Sequence, residues 1–281
     1  MKVIRTKDEM RRIVKAARTE GKAVGLVPTM GYFHEGHLEL MRRAGECDVV
    51  VVSLFLNPTQ FGAGEDLEDY PRDFDRDRRL AESVGVDYIF APGLQEMYPQ
   101  GFTTHVVVEE MSDVMCGAFR PGHFQGVATV VAKLFNIMPA DRAYFGQKDA
   151  QQLAIIRAMA RDLDFPIEIV PVPTVREEDG LAMSSRNTHL SAKERAAAPV
   201  LHRALLGAKE LVDAGVREAL VLRDAVVETI ESEPLVSLEY VDICDNIYLQ
   251  PPGELKGDIL VALAVRIGRA RLIDNEILRI E

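Results

Sequence analysis

Two histidines three residues apart, in the run His34-Glu35-Gly36-His37, have the types and spacing that could do chemistry. They follow an apolar run and open a helical pattern, and a spacing of three places both imidazoles on one side of a first helical turn. Imidazole N–H groups can donate to phosphoryl oxygens, and the N-terminus of a helix attracts phosphate. Gly36 leaves room for a nucleotide to approach the backbone. The segment therefore predicts phosphate chemistry.

Zinc binding and simple packing are the alternatives for these two histidines. The metalloprotease pattern His-Glu-x-x-His needs its second histidine one residue later than His37. Two histidines within four residues of a strand–helix junction are unusual for packing alone, although a structural role for both stays open.

Three further segments place polar or cationic side chains in predicted loops. Asn57-Pro58-Thr59-Gln60 offers amide donors and acceptors without charge, which suits a small hydroxy acid. Lys148, within Gly146-Gln147-Lys148-Asp149, supplies a point charge suited to phosphate. Ser184-Ser185-Arg186 combines two hydroxyls with a guanidinium that can grip phosphate through a planar fork. An ordinary Asn-Pro turn, a solvated lysine and a polar hinge loop are the structural alternatives.

The elements that must position these side chains alternate between strand and helix. Val49–Phe55 is apolar almost throughout and rich in valine, which is typical of a strand buried on both faces of a parallel sheet. We expect strands at 23–27, 49–55, 88–90, 143–145 and 167–170, with Pro28 ending the first, and helices at 6–17, 35–45, 74–83, 126–138 and 150–163. This order predicts a doubly wound, Rossmann-like α/β domain over residues 1–176, with ligands bound beyond the carboxyl ends of its strands.

The pattern changes after the polar stretch 176–180. Ser191 and Glu194 form a capping box that leads into a helix with apolar residues along one side, and a second helix is expected near 217–231. Strand patterns follow at 238–244 and 259–267, with a short one at 270–273. Residues 177–281 are therefore predicted to form a smaller α+β domain.

Charge and composition exclude several classes of function. The formal net charge of −11 argues against a nucleic-acid partner, because such proteins normally present a basic surface. Three scattered cysteines predict neither a disulfide framework nor a thiolate zinc site, and they fit a reducing compartment. No apolar run approaches the ~20 residues of a membrane span, and residues 1–6 lack a signal-peptide pattern. We expect a soluble, cytoplasmic protein that does not bind membranes.

The motifs together resemble a known family. His-x-Gly-His after a first strand resembles the nucleotidyltransferase superfamily that includes class I aminoacyl-tRNA synthetases, and residues 28–37 are similar to the pantothenate synthetases, or pantoate–β-alanine ligases, in particular. Matching segments extend over nearly the whole chain, at 28–37, 57–62, 120–124, 146–149, 183–187 and 271–275. The resemblance implies an ATP-dependent ligase that condenses (R)-pantoate with β-alanine through a pantoyl-adenylate, releasing AMP and pyrophosphate.

The resemblance also implies roles for individual residues. The catalytic set would be His34, His37, Lys148 and Arg186. The ATP-binding set would be Met30, Gly31, His34, His37, Gly146, Lys148, Asp149, Val175, Met183, Ser184, Ser185 and Arg186. Pantoate and β-alanine would be bound by Asn57, Gln60, Arg120 and Gln152, and Mg²⁺ would be contacted by Asp77. A charged helix face is the alternative for Asp77, since some relatives carry an acidic pair where this chain has Arg76-Asp77. A homodimer is implied as well.

Two other functions fit part of the pattern. A nucleotidylyltransferase that keeps the nucleotidyl group on its product would share the two histidines, but it gives no reason for the 57–60 loop. A non-catalytic nucleotide-binding or scaffold protein would bind ATP without turnover. Release of AMP indicates a ligase, and a retained nucleotidyl group indicates a transferase.

Overall fold

A computed structural model describes residues 1–62, 64–65 and 67–280. Within them the strands are β1 (Lys2–Ile4), β2 (Val24–Thr29), β3 (Val49–Leu54), β4 (Tyr88–Phe90), β5 (Arg142–Gly146), β6 (Glu168–Val172), β7 (Val236–Asp245), β8 (Gly257–Ile267) and β9 (Ala270–Ile280). The α-helices are α1 (Lys7–Thr19), α2 (Glu35–Ala44), α3 (Phe74–Ser83), α4 (Leu94–Met97), α5 (Cys116–Phe119), α6 (His123–Ile137), α7 (Ala150–Asp162), α8 (Ala192–Ala197), α9 (Val200–Asp213) and α10 (Ala219–Glu231). None of these helices is both long enough and apolar enough to cross a bilayer.

Strands β1 to β6 form a parallel sheet in the order β1-β4-β3-β2-β5-β6. The chain reaches β3 and β4 on one side of β2, and then crosses to β5 and β6 on the other side. The order therefore reverses between β2 and β5, which makes this the topological switch point where ligands bind in open α/β sheets. The predicted doubly wound α/β fold is confirmed.

Helix α2 is held against the sheet by its apolar face. Leu38, Met41 and Ala44 are buried in one cluster with Val50 and Val52 of β3. Each large side chain buried there contributes on the order of 1.5–3 kcal/mol, so the start of α2 is fixed just beyond the carboxyl end of β2.

Two details of this sheet differ from the sequence prediction. Strand β1 was not predicted, and it pairs with β4 at the sheet edge. Pro28 lies inside β2 instead of ending the preceding strand. Thr29 O accepts from Phe55 N on the β3 side, so the neighbouring Pro28 faces the β5 side, where pairing with β2 extends only to Leu26. The missing N–H of proline therefore costs no ladder bond.

Strands β7, β8 and β9 form an antiparallel sheet. One face carries Ile259, Val261 and Leu263 of β8, which are buried in a cluster with Leu201 and Leu205 of α9. Helices packed on an antiparallel sheet make this the expected smaller α+β part, and that class is confirmed.

Two boundaries in this part differ from the prediction. The helix expected after Ser191 is divided into α8 and α9 at Pro199, because proline cannot donate the helical hydrogen bond. Strand β9 continues to Ile280, far beyond the predicted 270–273. Asp274 and Asn275 interrupt its apolar pattern, yet both are buried in the strand because they have hydrogen-bond partners.

The described residues group into two compact units. The first unit consists of Met1–Asp113, Gly117–Gln147 and Ile155–Pro173. The second unit consists of Val114–Cys116, Lys148–Ala154 and Thr174–Glu281, of which the last residue lies outside the described part of the chain.

Candidate active site

The loop after β2 is held in an unusual backbone conformation by one buried carboxylate. Gly31 and Tyr32 have φ angles of +93° and +53°, and the left-handed region costs a residue with a side chain about 1–2 kcal/mol. Asp77, 1% exposed, accepts hydrogen bonds from Tyr32 N at 2.6 Å and Phe33 N at 2.7 Å. Burial raises the pKa of Asp77, and the two N–H groups oppose that rise. The carboxylate thus stabilises the turn that leads into the histidines.

The same turn leaves little room for a Cβ at position 31. A Cβ at Gly31 would lie 3.1 Å from Asp77 Oδ2. The next residue, Tyr32, is held separately by the guanidinium of Arg76, whose carbon lies 5.1 Å from the centre of the Tyr32 ring. Glycine is therefore required at position 31 both by its positive φ and by the close approach of the carboxylate.

His34 and His37 are brought together at the first turn of α2, as their spacing predicts. Their ring centres lie 4.1 Å apart, and His34 N donates to His37 Nδ1 at 3.3 Å. A histidine whose Nδ1 accepts a hydrogen bond carries its proton on Nε2 when it is neutral. His37 is thereby set up to act as a donor through Nε2. The N-terminus of α2 adds a positive partial charge to the same place.

The segment after β3 forms a tight turn organised by a buried amide. Asn57, 1% exposed, donates through Nδ2 to Gln60 Oε1 at 3.0 Å and to Gly126 O at 3.1 Å. Its Oδ1 accepts from Thr59 Oγ1 and from Tyr98 OH, both at 2.9 Å. Both amide protons of Asn57 are therefore used to build the turn.

Gln60 is the residue of this turn best placed to bind a ligand. Its Oε1 is held by Asn57, and its Nε2 donates to Met30 Sδ at 3.1 Å. A thioether is a weak acceptor, so a substrate oxygen would be a stronger partner for this amide. Met30 and Gln60, both predicted as binding residues, are thus adjacent in the first unit.

Arg120 lies beside the turn and is already part of a charge pair. Its Nε and NH2 donate to the two carboxylate oxygens of Glu65 at 2.7 and 2.6 Å, and its NH1 lies 3.0 Å from His123 Nε2. Burial favours a higher pKa for Glu65, but hydrogen bonds and charge from Arg120 hold that pKa below its usual value. His123 Nδ1 lies 2.7 Å from Gln60 O. This geometry favours a role for Arg120 in holding the Gln60 turn.

Lys148 and Asp149 lie in the second unit, in a 3-10 turn over Gln147–Asp149 that precedes α7. The Lys148 side chain is 19% exposed, and its Nζ is 4.0 Å from Asp149 Oδ1. Lys148 O accepts a hydrogen bond from Asn275 Nδ2 at 2.9 Å. The turn that presents the lysine is therefore tied to β9.

The segment that leads to Arg186 is also in the second unit. Residues 175–183 fold back on themselves, with Met183 N donating to Val175 O at 3.0 Å and Arg176 bridged to Ala182. Ser184 caps the following 3-10 turn, where its Oγ accepts from Arg186 N at 3.3 Å. The predicted hydroxyl and guanidinium groups are thus carried on one short, internally bonded turn.

The predicted site residues divide between the two units. The first unit holds Met30, Gly31, His34, His37, Asn57, Gln60, Asp77, Arg120 and Gly146, and the second holds Lys148, Asp149, Gln152, Val175, Met183, Ser184, Ser185 and Arg186. Sequence reasoning missed Glu65, Tyr98 and Asn275 as supports of these groups. The family-like run 271–275 was the one signal that could have pointed to Asn275.

The described residues contain no group of three or more histidine, cysteine or acidic side chains that could hold a metal ion. Asp77 has the oxygen donors that Mg²⁺ prefers, but each of its oxygens already accepts one backbone N–H. A second lone pair on each oxygen leaves Asp77 able to accept a further contact. Mg²⁺ commonly binds through substrate phosphates and one or two carboxylates, and a single carboxylate such as Asp77 fits that mode of binding.

The chain is similar to one protein family over nearly its full length. The family model described as pantoate-beta-alanine ligase matches residues 2–277. A pantothenate synthetase from Heliobacterium modesticaldum is 58% identical over 281 residues, covering 100% of both chains.

Two solved structures are similar as well. The pantothenate synthetase from Thermus thermophilus has a TM-score of 0.93 and 48% identity, covering 98% of this chain and 99% of that one. The pantoate-beta-alanine ligase from Francisella tularensis, complexed with beta-gamma ATP and beta-alanine, has a TM-score of 0.81 and 30% identity, covering 99% and 97%. The match over nearly every residue, together with the histidine turn at the switch point, shows that this chain belongs to the pantoate–β-alanine ligase family.

Proposed function

We propose that this chain condenses (R)-pantoate with β-alanine, with cleavage of ATP to AMP and pyrophosphate, and that residues of both units take part. Membership of the family makes it an AMP-forming ligase that works through an acyl-adenylate. The observation that carries the assignment of roles is the turn with His34 and His37 at the β2–β5 switch point. Asp77 holds this turn by accepting a hydrogen bond from the backbone N–H of Tyr32.

Adenylate formation requires a carboxylate to approach the α-phosphate of an anionic nucleotide. Charge repulsion must be offset, and the charge that moves onto pyrophosphate must be stabilised. We assign this stabilisation to the N–H groups of His34 and His37, to the start of α2 and to the cations Lys148 and Arg186. These two cations matter because the chain as a whole carries a net charge of −11.

Nucleotide binding is assigned to the segments around these groups. Met30 and Gly31 lie before the histidines, and Gly146 ends β5 at the switch point. Asp149, next to Lys148, is assigned to the ribose side of the nucleotide. The remaining contacts are assigned to Val175, Met183, Ser184 and Ser185. Asp77 stays the predicted contact for Mg²⁺ bound with ATP, and the ion would offset part of the phosphate charge there.

Pantoate recognition is assigned to Gln60 and Gln152. The Nε2 of Gln60 would exchange its weak bond with Met30 Sδ for a stronger one with a pantoate oxygen. Asn57 and Arg120 were also predicted to bind substrate. We assign both to holding Gln60 in place, because Asn57 donates to Gln60 and to Gly126 O, and Arg120 donates to Glu65 beside the same turn. The β-alanine amine then attacks the activated carbonyl, and AMP leaves.

The mixed anhydride must be kept from water until the amine arrives. We propose that residues 177–281, which carry the Arg186 turn, act as a lid over a nucleotide- and pantoate-binding domain at 1–176. A homodimer is proposed because the resemblance to the family implies one, and a cytoplasmic location because the three scattered cysteines fit a reducing compartment.

The test of this function is exchange of [³²P]pyrophosphate into ATP with pantoate present and β-alanine absent. Exchange that depends on pantoate is expected, because adenylation is reversible. Absence of exchange would contradict the adenylate step. Product analysis after adding β-alanine should find AMP, and a product that retains the adenylyl group would indicate a nucleotidylyltransferase instead.

A further inference from the structure

Two adjacent side chains in the middle of β9 are buried although both are polar. Asp274 is 2% exposed and Asn275 is 4% exposed. Successive residues of a strand point to opposite faces of the sheet, so the two side chains reach different neighbours. Buried polar groups of this kind are stable only with good partners.

On one face, Asp274 holds the start of the segment 175–183, which leads to Arg186 and is called the arm below. Arg176 NH1 donates to Asp274 Oδ2 at 2.6 Å, and Arg176 NH2 donates to Asp274 Oδ1 at 3.0 Å. Arg176 NH1 also donates to Gly180 O at 3.1 Å. The Arg176 guanidinium therefore joins the arm to β9 and also links residues 176 and 180 within the arm. A bidentate pair of this type fixes orientation as well as distance.

On the other face, Asn275 holds the turn that presents Lys148. Its Nδ2 donates to Lys148 O at 2.9 Å, and its own N–H donates to Asp274 Oδ1 at 2.8 Å. The bond to Lys148 O fixes the peptide plane that follows the lysine. A lysine has a four-carbon stem, so a small rotation of this peptide moves the ammonium group farther than it moves the backbone.

We propose that Asp274 and Asn275 form a common anchor that positions the two cations of the adenylation step, Lys148 through Asn275 and Arg186 through Asp274 and Arg176. Both residues act through other groups and need not touch substrate. The proposal rests on the roles given above to Lys148 and Arg186. The bond from Asn275 to Lys148 lies within one compact unit, which contains residues 148–154 and β9.

The experiment is a double-mutant cycle on pyrophosphate exchange. We compare the wild type with Asn275→Ala, Lys148→Ala and the double variant, at saturating ATP and pantoate. If Asn275 acts through Lys148, Asn275→Ala should lower the exchange rate about 10- to 100-fold, because a displacement near 1 Å can cost a factor of about 100. The double variant should be no slower than Lys148→Ala alone.

A purely structural role gives a different result. In that case the two losses multiply in the double variant, and this outcome would overturn the proposal. Asn136→Ala is the matched control, because it removes a similar bond from an Asn side chain to Ala132 O, at 2.9 Å in α6, and should leave exchange unchanged. If Asn275→Ala does not fold, Asn275→Asp keeps the shape, lacks the donor and enters the same cycle.

The second arm of the test uses Asp274→Asn with Arg186→Ala. Asparagine keeps the size of Asp274 but removes the charge that faces Arg176, and the same non-multiplicative pattern is expected. Unchanged exchange in Lys148→Ala would refute the catalytic role of Lys148. Slow exchange in Lys148→Ala with wild-type exchange in Asn275→Ala would refute the anchor and leave the proposed function intact.

Discussion

A methyl group added at Gly126 should disturb the substrate turn without touching any substrate-binding side chain. Gly126 lies in α6, and a Cβ built on it would overlap Thr59 O and lie 2.5 Å from Thr59 C and 2.6 Å from Gln60 N. All three are backbone atoms, and ordinary contacts begin near 3.4 Å. Gly126→Ala must therefore move the Thr59–Gln60 backbone by about 1 Å.

The size of the effect follows from two opposing terms. Overpacking of this kind costs about 1–3 kcal/mol, and replacing glycine by alanine within a helix returns about 1 kcal/mol. The net loss in the free energy of unfolding should therefore be small, about 0–2 kcal/mol. The effect on catalysis should be larger, because a 1 Å displacement of Gln60 is expected to lower kcat/KM for pantoate about 100-fold.

The matched control is Gly207→Ala in α9, where an added Cβ would meet no heavy atom within 4 Å. It should raise the free energy of unfolding by about 0.5–1 kcal/mol and leave the kinetics unchanged. Stability comes from urea denaturation, and kinetics from initial rates at varied pantoate. A Gly126→Ala enzyme with wild-type kcat/KM for pantoate would refute the role given to the turn.

Three further predictions concern single side chains. Lys148→Ala should lower kcat at least about 100-fold with an unchanged circular dichroism spectrum, since it removes charge that stabilises the transition state; unchanged kcat would remove Lys148 from the site. In Asp77→Asn, one carboxylate oxygen that accepts a hydrogen bond from Tyr32 N or Phe33 N is replaced by an amide NH₂, which faces that N–H group and cannot accept from it. Urea denaturation should show a loss of about 2 kcal/mol and initial rates a raised KM for ATP, and wild-type values for both would contradict the support of the loop. Burial, and then the charge of Arg176, lowers the pKa of His202 below its ordinary 6.5, so the folded state binds fewer protons. The free energy of unfolding should therefore fall as pH drops through 6.5, and less steeply in His202→Gln; equal slopes would refute the assignment.

The strand–helix alternation was predictable because the parallel strands are buried on both faces. Val49–Leu54 shows this as an apolar, valine-rich pattern that is broken only by Ser53. Lys2–Ile4 was missed because three residues at a sheet edge carry too little pattern, and only pairing with β4 makes them a strand. The end of β9 was missed for a different reason: Asp274 and Asn275 interrupt the apolar pattern and are typical of a loop unless their buried hydrogen-bond partners are known.

The site shows the same division. The sequence by itself determined the types and spacing of the chemical groups: paired histidines at a helix start, an uncharged amide turn, and a lysine and an arginine in later loops. Spacing within one helical turn fixes distance, so the contact between His34 and His37 could be predicted.

Only the tertiary structure decided what holds those groups in place. Asp77 supports the histidine turn from 44 residues away, Arg120 pairs with Glu65 across 55, and Asn275 reaches Lys148 across 127. Such contacts are set by which strands neighbour each other and how helices pack on them. Local sequence carries no signal for a partner so distant along the chain, and burial together with hydrogen bonding then selects the few polar side chains that can remain there.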